Sequence, residues 1–179
     1  MQTREETLLA RDVAAIQIPD GTRALLSEGM PVLITQQLGG SFTVMTDVGA
    51  MYRIDEEDAD ALGKEAPERA EGAADGALED RVWAQMRKCY DPEIPVNIVD
   101  LGLVYDCRVQ PLASGEHRVE IQMTLTAPGC GMGPVLADDV RRRVEGLDGV
   151  TEVKVDVVFD PPWNQTMMTE AARLQLGFL

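Results

Sequence analysis

The sequence predicts an α+β or α/β protein: a small, mainly β N-terminal module followed by a three-stranded mixed sheet backed by helices in the order α-β-β-α-β-α. Two observations lead to this prediction. Short apolar segments separated by turn residues fill the first 63 residues. After residue 78, apolar spacings typical of helices and of strands follow one another along the chain. We therefore divide the chain into a module at 1–63, a linker at 64–77 and a domain at 78–179.

The predicted linker is recognised by its composition. Its letters, KEAPERAEGAADGA, include Ala, Glu and Gly but no large apolar side chain. Such a segment cannot bury enough apolar surface to offset the entropy lost when it becomes ordered. A short solvated helix is the alternative, because Ala and Glu are good helix formers.

The N-terminal module is predicted to contain several short strands. Apolar residues alternate loosely over Val13–Ile18, and residues 31–36 and 41–46 flank a Leu-Gly-Gly turn at 38–40, which predicts a hairpin. Residues 48–54 form another candidate strand. The module has no Cys, no His and no phosphate-binding loop, so we expect it to serve in docking or scaffolding.

The C-terminal domain shows clearer periodicity. Val119, Ile121 and Met123 alternate with polar residues, which places them on one face of a strand. The residue before a proline avoids the helical region, so the first helix must end by Asp91. In chain order we predict a helix from Leu78, strands over 103–109, 119–125 and 153–159 with a helix opened by Pro134 between the last two, and a final helix capped by Thr169.

Charge excludes several classes of partner. The 179 residues include 31 acidic and 16 basic side chains, a formal net charge of −15. This charge disfavours nucleic acid and anionic membrane surfaces, which attract Lys and Arg. No apolar run approaches the roughly 20 residues that a membrane helix needs. Because the first residues are charged rather than apolar, we also expect no secretory signal and a cytoplasmic location.

The cysteines do not suggest a disulfide framework. Three scattered cysteines and one histidine fit a reducing compartment, and they do not match the spacing of a closed zinc site. Cys89 and Cys107 fall in predicted core segments, where we expect them to pack as small apolar residues rather than to act as ligands.

Cys130 is the strongest candidate for chemistry. It lies among three glycines in the segment TAPGCGMGP, between a predicted strand and a predicted helix. The free N–H groups of a helix N-terminus favour a thiolate, which could act as a nucleophile or a soft-metal ligand. The alternative is a glycine-rich turn with an incidental small residue. His117 lies in a predicted hairpin and offers no clear base, which disfavours a cysteine hydrolase.

Two further segments could contact a ligand or a partner. Asp91 and Glu93 lie in a proline-bracketed turn, where they could supply hard ligands or simply end a helix. Trp163 follows Asp-Pro-Pro, where it could be a partner hot spot or could pack the last helix onto the sheet.

Together these motifs resemble the metal–sulfur-cluster biosynthetic domain family. The resemblance rests on DPEIPVNIVDLGLVY at 91–105, MTLTAPGC at 123–130, and DPPW at 160–163 with AARL at 171–174. Family members include the targeting component of the eukaryotic cytosolic iron–sulfur assembly machinery, PaaD-type phenylacetate-degradation proteins and a domain fused to Mrp-type carrier ATPases. The front part, with ITQQLGGSFTV at 34–44 and DADALG at 58–63, resembles an N-terminal extension of one subgroup.

The resemblance implies where the family's functional residues fall. Its reactive cysteine corresponds to Cys130 and its acidic turn to Asp91 and Glu93. Many members have a proline after the cysteine, whereas this chain has Gly131. One Cys130 per chain cannot hold a cluster, which usually takes four thiolate or His ligands, so a bound cluster would need a homodimer or ligands from a partner.

The resemblance therefore implies a non-enzymatic factor in iron–sulfur cluster maturation. We expect Cys130 to bind a cluster or iron transiently, or to react with partners, which would be the assembly machinery and client apo-proteins. The alternatives are a pure adaptor that binds no cluster, an accessory protein of a PaaD-like oxygenase pathway, and a thiol enzyme.

Overall fold

The chain folds into two compact units. The structure, a computed structural model, describes residues 4–65, 76–91 and 93–178. The units comprise Met1–Ala70 and Glu71–Leu179, and each has its own hydrophobic core. Most of the predicted linker, residues 66–75, lies outside the described residues, so the linker stays a prediction. In the described ranges, no helix has the length and apolar character needed to span a membrane.

The N-terminal unit contains a six-stranded antiparallel sheet. The strand order is β1-β4-β5-β6-β2-β3, and a 3₁₀ segment over Glu56–Leu62 packs into the same core. The strands are β1 (Glu5–Leu8), β2 (Val13–Ile18), β3 (Arg23–Leu26), β4 (Pro31–Leu38), β5 (Ser41–Thr46) and β6 (Met51–Ile54). The mainly β character of this unit is thereby confirmed.

The predicted hairpin is present in this sheet. Leu38 pairs with Ser41, and Gly39 and Gly40 form the turn with φ of +59° and +91°. Only glycine adopts such angles without strain, which explains why this turn was visible in the sequence. Strands β1 and β3 were not predicted, because four residues such as EETL or RALL show no clear alternation.

The C-terminal unit confirms the predicted mixed sheet. Strands β7 and β8 are antiparallel, whereas β8 and β9 are parallel. The elements are α1 (Leu78–Met86), β7 (Val104–Pro111), β8 (His117–Met123), α2 (Gly133–Glu145), β9 (Val150–Val157) and α3 (Glu170–Gln175). Val119, Ile121 and Met123 of β8 are buried in one core with Val82 of α1 and Val140 of α2. The two helices therefore back one face of the sheet.

Several boundaries differ from the prediction: β6 begins at Met51 rather than at residue 48, β7 covers Val104–Pro111 rather than 103–109, and β8 covers His117–Met123 rather than 119–125. Strand β9 covers Val150–Val157 rather than residues 153–159, because its pairing with β8 begins at Val150 opposite His117. Helix α1 ends at Met86, before Asp91 as predicted, and shorter turns continue the chain to Cys89, whose N–H donates to the Met86 carbonyl. Helix α2 begins at Gly133, one residue before the predicted start. Cross-strand pairing and tightened turns leave no periodic signal in the sequence.

Candidate functional site

The three sequence motifs lie at one end of the sheet. Val104 at the start of β7 pairs with Met123 at the end of β8, which in turn pairs with Val157 at the end of β9. The segment that enters β7 and the segments that leave β8 and β9 therefore all join the sheet at this end. We call them the first loop (residues 93–103), the cysteine loop (124–132) and the third loop (158–169).

Side-chain hydrogen bonds join the first and third loops. The Trp163 indole N–H donates to the Leu101 carbonyl at 2.7 Å, and the Tyr105 hydroxyl, at the start of β7, donates to the Pro161 carbonyl at 2.8 Å. Trp163 is half-buried and packs against the hydrophobic core. Of the two roles considered for Trp163, this geometry supports packing.

Asn97 organises the first loop from within. Its side-chain oxygen accepts the backbone N–H groups of Val99 and Asp100 at 3.0 and 2.9 Å, and its amide donates to the Asp100 carboxylate at 2.7 Å. The Asp100 carbonyl then accepts the N–H of Thr169 at 2.9 Å. Thr169 caps α3, as predicted, by accepting the Ala172 N–H. The loop and the last helix are thus held by one continuous set of bonds.

Gly102 allows the first and third loops to meet backbone to backbone. Its φ is +74°, and a Cβ at this position would lie 2.2 Å from the Met167 carbonyl oxygen. Both the angle and the space exclude any larger residue. This role was not predicted from the sequence, although a glycine between Leu101 and Leu103 in an apolar run is a usable signal.

The cysteine loop is held differently. Cys130 is half-buried; its N–H donates to the Ala127 carbonyl at 3.4 Å, and its carbonyl accepts the Gly133 N–H at 3.1 Å. In the described part of the chain the Cys130 sulfur has no hydrogen-bond partner. Met132 is the N-cap of α2, so Cys130 lies two residues before the cap rather than on the first helical turn. The Cys130 side chain also packs partly against the hydrophobic core of this unit.

The acidic turn presents two unlike carboxylates. Asp91 is only 5% exposed, and its Oδ1 accepts the Glu93 N–H at 2.9 Å. Burial raises the pKa of the Asp91 carboxyl above its usual range, and the N–H groups of Glu93 and Ile94 oppose that shift. Glu93 is exposed. Glu93 is therefore more accessible to a ligand than Asp91.

The chain does not assemble a metal site from its own described residues. Across 4–65, 76–91 and 93–178, no group of three or more His, Cys, Asp or Glu side chains could hold a metal ion. Cys130, Asp91 and Glu93 accordingly do not form a three-ligand set.

The remaining cysteines and the histidine lie away from the cysteine loop. Cys89 is buried in the core, and burial of Cys107 in β7 raises the pKa of its thiol to about 11. Both pack as apolar residues, as expected. His117 is half-buried at the opposite end of β8 from the cysteine loop, with its Nδ1 3.3 Å from the Gly149 carbonyl. It therefore does not form a pair with Cys130.

Comparison with known proteins identifies the family to which this chain belongs. A family model described as "Iron-sulfur cluster assembly protein" matches residues 79–157. A Porphyromonas gingivalis protein named Fe-S protein maturation auxiliary factor is 46% identical over 101 residues, which is 56% of this chain and 92% of that protein. This chain belongs to the iron–sulfur cluster assembly protein family. The resemblance found in the sequence motifs is thereby confirmed.

Further relatives agree with this family. YitW of Bacillus subtilis is 35% identical and SufT of Staphylococcus aureus is 38% identical; both carry the name Fe-S protein maturation auxiliary factor. The matches cover 56% and 49% of this chain, and 95% and 94% of the two relatives. A solved Bacillus anthracis domain of unknown function, DUF59, is similar at 35% identity and a TM-score of 0.50, covering 57% of this chain and 93% of that one.

The relatives are covered almost completely, yet they account for only about half of this chain. The rest of this chain therefore has no counterpart in these three proteins. The likeness of the front part to an N-terminal extension of SufT-type members stays a prediction.

Proposed function

We propose that this chain is an auxiliary factor in the maturation of iron–sulfur proteins, in which Cys130 is a transient ligand for a cluster or iron in transit. The names of three relatives support the general role. The observation that supports the specific role is the Cys130 thiol, which is half-buried and has no hydrogen-bond partner for its sulfur among the described residues.

The ligand count limits what Cys130 does. A cluster usually takes four thiolate or His ligands, and one chain offers a single suitably placed thiol. The cluster is therefore cargo, held between Cys130 and ligands from a second copy of the chain, the assembly machinery or the client. Such a site is labile, which suits transfer. Glu93 is exposed and is the better of the two acidic candidates for an additional ligand.

The proposed role is that of a helper rather than an enzyme. General acid–base catalysis needs a titratable group within hydrogen-bond reach of the reacting atom. His117, the natural partner for a catalytic thiol, lies at the other end of β8 from the cysteine loop. Binding and transfer require no such partner.

A cellular complementation assay tests this proposal. Cells lacking the chain would receive wild type, Cys130→Ser or Cys107→Ser, and the activity of a four-iron client enzyme would be divided by the amount of its polypeptide. We expect Cys130→Ser to match the empty vector and Cys107→Ser to match wild type, because Cys107 is half-buried within a strand. Normal client activity with Cys130→Ser would contradict the ligand role.

A pure adaptor is the second candidate function. The hydrogen-bonded first and third loops favour it, because a fixed surface can bind partners without a cluster. An adaptor would keep client activity in Cys130→Ser, so the same assay separates the two functions.

A further inference from the structure

The N-terminal sheet is apolar on both faces over part of its width. One face builds the core. On the other, strand register aligns Leu8 with Pro31, and Leu33 with Met45 and Met51, across β1, β4, β5 and β6. Residues paired across neighbouring strands share a face, and successive residues along a strand alternate faces. These five residues therefore form one continuous surface, which we call the outer patch.

The outer patch is accessible. Leu8 is 63% exposed and Met51 is 39% exposed, and Val48 in the adjoining turn is 83% exposed. Antiparallel sheets that face water usually carry polar residues on their outer side. A contiguous exposed apolar surface marks an interaction site more often than scattered single residues do.

Exposed acidic side chains lie beside the outer patch, and Arg53, which follows Met51 on the same face of β6, is buried and paired with Asp55. Glu6 pairs with Leu33 in the same cross-strand row, and Asp47 follows β5 next to Val48. Both side chains are exposed, and neither forms an ion pair within the described residues. Residues 1–70 as a whole contain 6 basic and 13 acidic side chains, a net charge of −7. The unit that carries the patch therefore has a net negative charge, which favours a basic partner.

We propose that the outer patch docks a partner protein through a segment that combines large apolar side chains with Lys or Arg. Charge complementarity favours this occupant over a second copy, because self-association would bring two acidic modules together. The patch lies outside residues 79–157, which the family model covers. The docking site is thus separate from the proposed role of Cys130, and it stands or falls independently of that role.

Selection from a random peptide library tests the proposal without assuming a partner. Peptides would be selected on the full chain and then measured against two variants, Leu8→Gln with Met51→Gln, and Leu25→Gln. Leu25 is a matched control, since it is 68% exposed on β3, an edge strand like β1, and is not part of the outer patch. We expect enriched peptides to be basic and apolar, and to bind the double variant about tenfold more weakly, a loss of about 1.4 kcal/mol.

The control variant should bind these peptides as wild type does. The proposal is overturned if no peptide is enriched, if the enriched peptides are neutral or acidic, or if the double variant binds them as tightly as Leu25→Gln does. Light scattering of the full chain supplies the remaining outcome. A dimer that the double substitution dissociates would assign the outer patch to a second copy instead.

Discussion

The first loop and the cysteine loop join the sheet at the same end, but different kinds of hydrogen bond hold them. In the first loop, side chains bind backbone: Asn97 caps it from within and Trp163 donates to Leu101. In the cysteine loop, the bonds of Cys130 are made by its backbone, to Ala127 and Gly133. The difference indicates that the two loops serve different purposes. The first loop forms a fixed platform, and the cysteine loop carries the thiol.

The largest difference in stability is expected between a glycine-to-alanine substitution in the first loop and one in the cysteine loop. Gly102→Ala should lower the free energy of unfolding by about 3 kcal/mol or more, because the new Cβ meets the Met167 carbonyl at a positive φ. Gly129→Ala should cost only about 1 kcal/mol, since φ is +80° but nothing lies within 4 Å. Urea unfolding followed by tryptophan fluorescence measures both. Equal costs would remove the contrast between the loops.

A smaller loss of stability is expected when the hydrogen bond between Trp163 and the first loop is removed. Trp163→Phe removes the 2.7 Å bond to the Leu101 carbonyl and should cost about 1–2 kcal/mol. Trp83 is a matched control, because it also packs against the core but its indole N–H has no partner among the described residues. Circular dichroism during urea unfolding measures both variants. The platform role fails if Trp163→Phe costs no more than Trp83→Phe.

The acidic turn should show a smaller, pH-dependent effect. Burial raises the folded pKa of Asp91 above its ordinary value of 3.8. At pH values between 3.8 and the raised folded pKa, the folded state binds more protons than the unfolded state. The stability contributed by this group is therefore lost as pH rises through the folded pKa. Asp91→Asn keeps an oxygen for the Glu93 N–H and removes the titration. Its unfolding free energy should fall less than that of wild type between pH 4 and neutrality.

Parallel pH curves for wild type and Asp91→Asn would contradict the buried-carboxyl interpretation. Glu93→Gln should weaken the pH effect only in part, because the charge of Glu93 is a smaller cause of the raised Asp91 pKa than burial is.

The smallest effect is expected at Cys130. Cys130 is half-buried and its sulfur has no hydrogen-bond partner in the described residues, so Cys130→Ser should lower the free energy of unfolding less than Cys89→Ser does. Cys89→Ser should cost about 1–3 kcal/mol, because it places a hydroxyl in the core. The same urea experiment compares them. A large loss for Cys130→Ser would show that the thiol is structural.

The sequence predicted those features that rest on local chemistry. The alternation of Val119, Ile121 and Met123 predicted β8, and Thr169 predicted the cap of α3. The order of elements in the C-terminal unit followed from the same patterns. The candidate residues Cys130, Asp91 and Glu93 came from their motifs, and their ligand roles stay predictions.

Features that depend on distant residues were not predictable from local patterns. The start of β9 at Val150 is set by pairing with His117, and the necessity of Gly102 is set by Met167. Strands β1 and β3 exist because they pair with β4 and β2, since their own four residues show no alternation. A single sequence records such contacts only indirectly.

Anaerobic reconstitution tests whether Cys130 binds a cluster. Wild type, Cys130→Ser and Cys107→Ser would be incubated with iron and sulfide, desalted, and examined by visible absorption and by iron and sulfide content per chain. We expect an absorption band with bound iron and sulfide in wild type and Cys107→Ser, and neither in Cys130→Ser. A band of equal strength in Cys130→Ser, or no band in wild type, would contradict the claim that Cys130 carries a cluster in transit.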